Sequence, residues 1–555
     1  MGCARSISDI QLPLFIFDKR EKNNETDVGI KRVDISSETV KKMSAYNIEE
    51  YIKDIHTIGL SETWDVICEY ILKYGENSDF LSISRFGELY EIGLAINDKN
   101  QKKVSGQYFT PDDVAYVMGK WFDSCKGVNI CDVACGTGNL ILTYLEQIGY
   151  KKTLELIENG HLYLYDFDKT ALKICKTSII VKYGINNHDY IHDICGDFLS
   201  DDIKLPPNSK VISNPPYAAI KEFGANWKQT IVLADTKELY AAFMEKIFTQ
   251  SESSVIITPF SFISGNKFFS LRRMMSDIGN GFVIAFDNVP GNIFCGRKQG
   301  IFNTNTANSV RAAITVFHKD KNKKGFKISP MIRFKNEERS RLLVNNVLEE
   351  LLPENLQIVD KRNIVFKKID KNLEDVFYLW NKNSDYKIED IITEEKTEYL
   401  IDIPNTCRYF TTGAHKKLNR TGSITIYVKK KKFFDFLYCF INSSFAYWWW
   451  RVFDGGITFP KSLLMSMPLP LNLLSPDDEK FFEEICDEMI RIESAHIVTK
   501  LNAGEPQENI KFPPQYGEKI NNRLLSVLGC KKDSKIFIPV HSNHFLGNMH
   551  DKSSV

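Results

Sequence analysis

Long apolar runs are missing from this chain. No stretch reaches the roughly 18 consecutive apolar residues that a membrane-crossing helix needs. Nor does an apolar segment with a small-residue cleavage site open the chain, so secretion is not expected. Net charge is missing too: Lys+Arg and Asp+Glu both number 71. That speaks against a broadly basic nucleic-acid binder and leaves room for a local positive cleft. The 12 cysteines form no Cys-x-x-Cys pair, and Cys131 and Cys135 merely flank one turn. Neither a metal site nor a disulfide framework is expected, and reduced thiols of the cytoplasm are the simplest account. Residues 1–95 lack a Pro-Asp followed by Glu-x-Lys, a common nuclease spacing. They carry loose helical periodicity through Tyr51, Ile52, Ile55, Ile58 and Leu60, and no chemistry. The opening Met1-Gly2-Cys3-Ala4-Arg5-Ser6 fits the short myristoylation pattern, but nothing else in the chain suggests a membrane partner.

What is present is a globular composition, 43% hydrophobic and 26% charged, in a length that asks for roughly two to four domains. Its most informative stretch is Ser213-Asn214-Pro215-Pro216-Tyr217, which ends the apolar run Lys210-Val211-Ile212. Two prolines fix their own φ and bias the residues before them, so the sheet stops and a stiff loop begins. That loop sets the Asn214 side chain beside the Pro215 carbonyl, two acceptors matched to the two donors of a flat exocyclic NH2 group. Tyr217 adds a π-face on which a planar ring can stack. An ordinary proline turn is the plainer reading.

Upstream, Val128-Asn129-Ile130-Cys131-Asp132-Val133-Ala134-Cys135-Gly136-Thr137-Gly138 reads as a strand followed by a glycine turn and a helix. A dinucleotide fingerprint wants a third glycine, and Ile141 stands there. Asp132, four residues before Gly136, suits a cationic amino group. A turn with an acid but no full pyrophosphate cradle suits S-adenosylmethionine better than NAD. Ala134, Gly136 and Gly138 are its backbone contacts. A second strand, Leu162-Tyr163-Leu164-Tyr165, ends at Asp166, which can take both hydroxyls of a ribose. Asp168 is the second choice, with helix capping as its plainer role. Thr110 with Pro111 reads as a helix start, capped by the Thr110 side chain. Further strands are expected near residues 190–195, 254–258, 282–286 and 312–317, making seven. The Lys-rich stretch 318–327 reads as a linker or phosphate-contacting edge. Beyond it, the run of Lys430 and Lys431, together with Arg451 in a Trp-rich cluster and Lys461, are candidate phosphate contacts, although charge runs usually form solvated faces and aromatic clusters usually form core.

These motifs in this order resemble the γ-ordered N6-adenine DNA methyltransferases of restriction–modification systems. The resemblance is dense over residues 106–318 and loose in the last third. It implies a Rossmann-like α/β methyltransferase sheet of seven strands at 96–320, after a helical extension (1–95) and before an α+β target-recognition domain (321–555). It implies cofactor roles for Phe109, Thr110 and Pro111, and for Asp197 and Phe198 at the cofactor adenine. Phe294, or failing it Phe302, would sandwich a flipped base against Tyr217; both also suit plain core. Asn214, Pro215, Pro216 and Tyr217 become the catalytic loop. Residues 442–445 and 467–470 are similar to target-recognition regions, and the size and the Asn-rich stretch 303–308 are similar to modification enzymes for short asymmetric sites. The implied cofactor is S-adenosylmethionine, the implied partners are double-stranded DNA and a restriction endonuclease on a separate chain, and the implied setting is the bacterial cytoplasm. A methyltransferase acting on RNA or a glutamine amide, and a catalytically silent DNA-binding subunit, are the rivals.

Overall fold

The structure, a computed structural model, describes residues 110–542 apart from 225, 295–309, 345–346, 408 and 503. The expected helical extension at 1–95, Phe109 and Phe302 lie outside the described residues. Among the described residues no helix is long and apolar enough to cross a membrane.

The strands are β1 (Asn129–Val133), β2 (Leu162–Asp166), β3 (Ile191–Cys195), β4 (Ser209–Ser213), β5 (Ser253–Pro259), β6 (Gly279–Phe286), β7 (Ala312–Lys319) and β8 (Gly325–Ile332). They form one eight-stranded sheet in the order β3-β2-β1-β4-β5-β7-β6-β8. The chain clusters into two compact units. Of the described residues, one unit takes those up to Thr258 with Ile293–Asn308 and Ile314–Lys319; the other takes Pro259–Asn292, Ser309–Ala313 and Asp320–Val555. This differs from the single cut at residue 320 expected from sequence. Within the second unit, β6 pairs in parallel with β8, which sequence reading took for linker and the residues after it. Pro330 hides that strand, because proline inside a strand is tolerated only at an edge, and β8 ends the strand order.

In the first unit β1 to β5 pair in parallel, with Val133 opposite both Tyr165 and Ser213, and Asp166 opposite Cys195. That register brings the carboxyl ends of β1, β2, β3 and β4 to one sheet edge, where ligands gather in open α/β sheets. Helices α1 (Asp112–Asp123), α2 (Asn139–Ile148), α3 (Tyr150–Glu158), α4 (Lys169–Tyr183), α5 (Ile231–Thr236) and α6 (Leu239–Gln250) belong to the same unit. β1 and β4 are buried almost throughout, and their polar side chains are buried with them, Lys210 donating to the Phe122 carbonyl and Ser213 to that of Val133. α1 begins at Asp112 with Pro111 at its N-cap and no side-chain cap, so Thr110 does not cap it as expected. Its hydroxyl is engaged elsewhere.

The second unit has an aromatic core. Trp380, Trp448 and Trp450 are each 2% exposed or less, packed with Phe377, Phe440, Phe445 and Phe537. The Trp-rich segment lies on a helix, Ser444–Phe453, whose N-cap Ser443 accepts from the Phe445 N–H. A three-stranded sheet (Ile392–Thr393, Ser423–Val428, Leu400–Pro404) and a hairpin (Ile497–Asn502 with Glu505–Ile510) complete an α+β arrangement.

Candidate active site

The loop after β4 is tied down through the side chains of Ser213, Asn214 and Tyr217. Ser213 Oγ donates to the Val133 carbonyl at 2.6 Å, locking the end of β4 to the end of β1. Asn214 Nδ2 donates to Thr110 Oγ1 at 2.9 Å, and Asn214 Oδ1 lies 2.7 Å from the Tyr217 hydroxyl, which is also 3.0 Å from the Ile257 carbonyl of β5. Thr110 is held in turn by its own carbonyl, which accepts from Asn139 Nδ2 at the start of α2. Pro215 is buried, and Pro216 lines the neighbouring cavity. Phe294 stands against Tyr217 edge to face, with centroids 5.8 Å apart and planes at 64°. A base between two rings needs parallel planes about 7 Å apart, twice a carbon–carbon contact distance. The pair as it stands is therefore not a ready sandwich.

The glycine turn follows β1. Ala134, Gly136 and Gly138 all have positive φ, at 58°, 53° and 94°. A Cβ on Gly138 would overlap the Cys175 sulfur, whereas the space beside Gly136 holds no atom within 4 Å. Gly138 is thus needed for packing, and Gly136 faces the opening. Asp132 does not do what its sequence position suggested. It is fully buried, its Oδ2 accepts the Ile141 N–H of α2 at 3.2 Å, and it is not part of the cavity wall. Burial pushes its carboxyl well above the usual range. It braces the turn from beneath.

Asp166 lines the cavity and closes the turn from the side. Its Oδ2 accepts from Gly136 N at 2.7 Å and its Oδ1 from Asp168 N at 2.8 Å. Burial raises its pKa to about 6 against the lowering effect of those two N–H groups. Asp168 takes its plainer role, capping α4 through Thr170 N and Ala171 N. At the end of β3, Asp197 Oδ1 accepts from Leu199 N at 3.0 Å and Oδ2 from Trp227 Nε1 at 2.5 Å. Phe198 is buried, edge-on to Tyr165 and 5.2 Å from Phe243. The cavity, about 550 Å³, is walled by Thr110, Gly136, Asp166, Asp197, Phe198 and Asn214 among others. Its size falls within the usual range for small-ligand pockets.

The candidate phosphate contacts fare differently. Arg451 is buried. It pairs with Asp287 at 2.8 Å and donates to the Met331 carbonyl at 2.6 Å, so its guanidinium is not available to DNA. Lys431, on the helix Lys431–Ile441, sits among Asp435 at 3.0 Å, Glu483 at 3.1 Å and Asp487 at 3.9 Å, a solvated ion network rather than a positive face. Lys430 and Lys461 are exposed.

The N-6 DNA Methylase family model matches residues 81–398, more than half of the chain. The chain belongs to that family. It is 24% identical over 366 residues to the "Type I restriction enzyme MpnII methylase subunit" of Mycoplasma pneumoniae, covering 61% of this chain and 63% of that protein. It is 28% identical over 135 residues to the "Type II methyltransferase M.VspI" of Vibrio sp., covering 23% of this chain and 29% of that one. Among solved structures it is similar to the M protein of the type I restriction enzyme EcoKI, at 15% identity and TM-score 0.33, over 44% of this chain and 53% of that chain. The chain thus spans under two thirds of the length of these relatives.

Four residues of this N-6 DNA methylase escaped sequence reading. Trp227 lines the cavity and bonds Asp197. Phe167, 80% exposed between two acids, stands at the cavity wall. Asn139 anchors Thr110. Lys246 donates to the Phe198 and Ser200 carbonyls at 2.6 and 2.7 Å and so stiffens the turn carrying Asp197. An exposed aromatic flanked by acids was the one available signal, at Phe167; the others act through pairings remote in sequence.

Proposed function

We propose that this N-6 DNA methylase transfers a methyl group from S-adenosylmethionine to the N6 amine of an adenine in double-stranded DNA, at a specific site in a restriction–modification system. The observation that supports this most is that one cavity is lined by Gly136, Asp166 and Asp197 and also by Asn214 of the catalytic loop. The residues present fit the methyl donor. Open space beside Gly136 admits close approach to backbone, Asp166 and Asp197 offer carboxylate oxygens to hydroxyl and amine donors, and Phe198 and Trp227 give apolar walls. When bound, S-adenosylmethionine supplies a methyl group on a positively charged sulfur.

The task of the chain's own residues is to hold the amine. Adenine N6 is a weak nucleophile because its lone pair is delocalised into the ring. Asn214 Oδ1 and the Pro215 carbonyl accept its two N–H groups, which favours a pyramidal nitrogen with its lone pair exposed. Fixing that geometry supplies much of the acceleration. The alkylated nitrogen sheds its proton readily, so no dedicated base is required. In a duplex the base is stacked and paired, so it is flipped out to reach the loop, and Phe294 moves to receive it. Partners follow from the same reading: duplex DNA, and restriction subunits on separate chains in the bacterial cytoplasm, as the names of the type I methylase relatives suggest.

Labelled-methyl transfer to duplex DNA, RNA and a glutamine-containing peptide tests the reading, with label expected in the DNA adenines alone. Asn214→Ala should slow single-turnover transfer roughly 100- to 1000-fold, the effect of removing one preorganised hydrogen-bonding partner, with cofactor affinity little changed. A near-wild-type rate would reduce Asn214 to a turn residue.

A further inference from the structure

The two ends of the Asn214 amide are held by different side chains. Nδ2 donates to Thr110 Oγ1 at 2.9 Å, and Oδ1 lies 2.7 Å from the Tyr217 hydroxyl. That hydroxyl is also 3.0 Å from the Ile257 carbonyl oxygen. A phenol carries one proton, so two acceptors share it. A primary amide turned by half a revolution exchanges acceptor for donor. In one orientation it accepts from an incoming amine; in the other its NH2 opposes it.

We infer that Thr110 and the Tyr217 hydroxyl are positioning residues for this amide, an inference that rests on the proposed methyl transfer for its purpose but not for its geometry. Thr110 Oγ1 accepts from the Nδ2 end of the amide and anchors that end. The Tyr217 hydroxyl keeps Oδ1 paired while no base is present, standing in for the amine. When an amine arrives at Oδ1, the hydroxyl turns its O–H to the Ile257 carbonyl. No covalent bond is made or broken, and Oδ1 has a donor before and after, which matters because an unpaired acceptor in a partly buried site is costly. Tyr217 therefore has two separable roles: its ring for stacking and its hydroxyl for orienting Asn214.

Two measurements keep this apart from the proposed function. The first needs no substrate. Full-length protein labelled with 15N at asparagine gives side-chain NH2 signals, and Asn214→Ala identifies that of Asn214. Thr110→Val should shift this pair and speed its hydrogen exchange, Thr110→Ser should restore it, and Tyr217→Phe should perturb it. A pair unmoved by both Thr110→Val and Tyr217→Phe overturns the inference, whatever the protein methylates. The second is single-turnover transfer to duplex DNA at saturating cofactor. Tyr217→Phe and Thr110→Val should each slow it about tenfold, the worth of one hydrogen bond, and Thr110→Ser should stay near wild type. In an Asn214→Ala background neither change should slow it further. A full rate in Tyr217→Phe, or added losses in the Asn214→Ala background, overturns the inference. Wild-type protein that leaves DNA unmethylated refutes the proposed function instead, and the first measurement then decides the positioning.

Discussion

Asp166 Oδ2 accepts the backbone N–H of Gly136 at 2.7 Å, across 30 residues of sequence. The acid at the end of β2 therefore shapes the glycine turn after β1 while it lines the same cavity. An amide in its place would present an NH2 to one of two donors, Gly136 N or Asp168 N. Asp166→Asn should weaken S-adenosylmethionine binding by about 10- to 100-fold, the loss of a charge-assisted hydrogen bond of about 1.5–3 kcal/mol. Calorimetry on the folded variant checks this; equal affinity would remove Asp166 from the cofactor site.

The same carboxyl gives a pH dependence. Its pKa in the folded protein is raised by burial from 3.8 to about 6. The folded state thus binds this proton more tightly than the unfolded state, and the group's contribution to stability falls as pH rises from 3.8 to about 6. Hydroxyl donors favour the ionised form, so cofactor binding should release a proton and affinity should rise as pH climbs through about 6. Titrations from about pH 5 to about pH 8, which bracket a pKa of about 6, in buffers of different ionisation heat measure both. An affinity flat across that window in wild type, or a slope that persists in Asp166→Asn, would contradict the assignment.

The parts of this site that were legible in sequence are those where one residue type has one use at a strand end. Asp166 closes β2, and Asn214 and Asp197 follow β4 and β3 within two residues, and parallel register brings those ends together. Asp132 was misjudged because an acid near a glycine turn can face the ligand or the core, and local sequence does not distinguish the two. Its partner, the Ile141 N–H, belongs to the helix behind the turn. Arg451 failed for a related reason. Its neighbours Trp448, Trp449 and Trp450 announced a core, and the single arginine among them was read as a surface group. The acid that neutralises it is 164 residues away. Strand β8 was lost to one proline at an edge.

Asp287 should govern the stability of the second unit. It accepts from Arg311 and Arg333 at 2.9 Å each and from Arg451 at 2.8 Å, all on well-buried side chains. Burial alone would raise its pKa, but Arg451, Arg311 and Arg333 override it and hold the carboxyl at about 2. The folded value lies below the unfolded 3.8, so the contribution is full above 3.8 and is lost as pH falls toward about 2. Asp287→Asn leaves three guanidiniums without their counter-charge and should cost about 3–5 kcal/mol. Arg451→Met leaves Asp287 with two partners and should cost about 1–3 kcal/mol. Urea midpoints give the order; Arg451→Met costing as much as Asp287→Asn would mean that packing, not charge, dominates there.

If the second unit meets DNA, exposed basic side chains are the groups to test, and Arg451 is not one of them. Lys431 is surrounded by Asp435, Glu483 and Asp487, and Lys432 pairs with Glu479 at 3.3 Å, so neither offers a clear positive charge to a phosphate. Lys430 and Lys461 are both exposed. If they meet the backbone of DNA, each contact releases about one condensed cation, and the log–log dependence of affinity on salt flattens by about one unit per contact removed. Lys430→Glu and Lys461→Glu should then weaken binding to all duplexes alike, since phosphate contacts carry no sequence information. Arg451→Glu is no substitute for these variants, because a carboxylate beside Asp287 would destabilise the fold and lower binding for that reason alone. Fluorescence anisotropy over a salt series on a methylatable duplex and a scrambled one separates the outcomes. Equal slopes for wild type and both lysine variants would place the DNA-binding surface elsewhere on the protein.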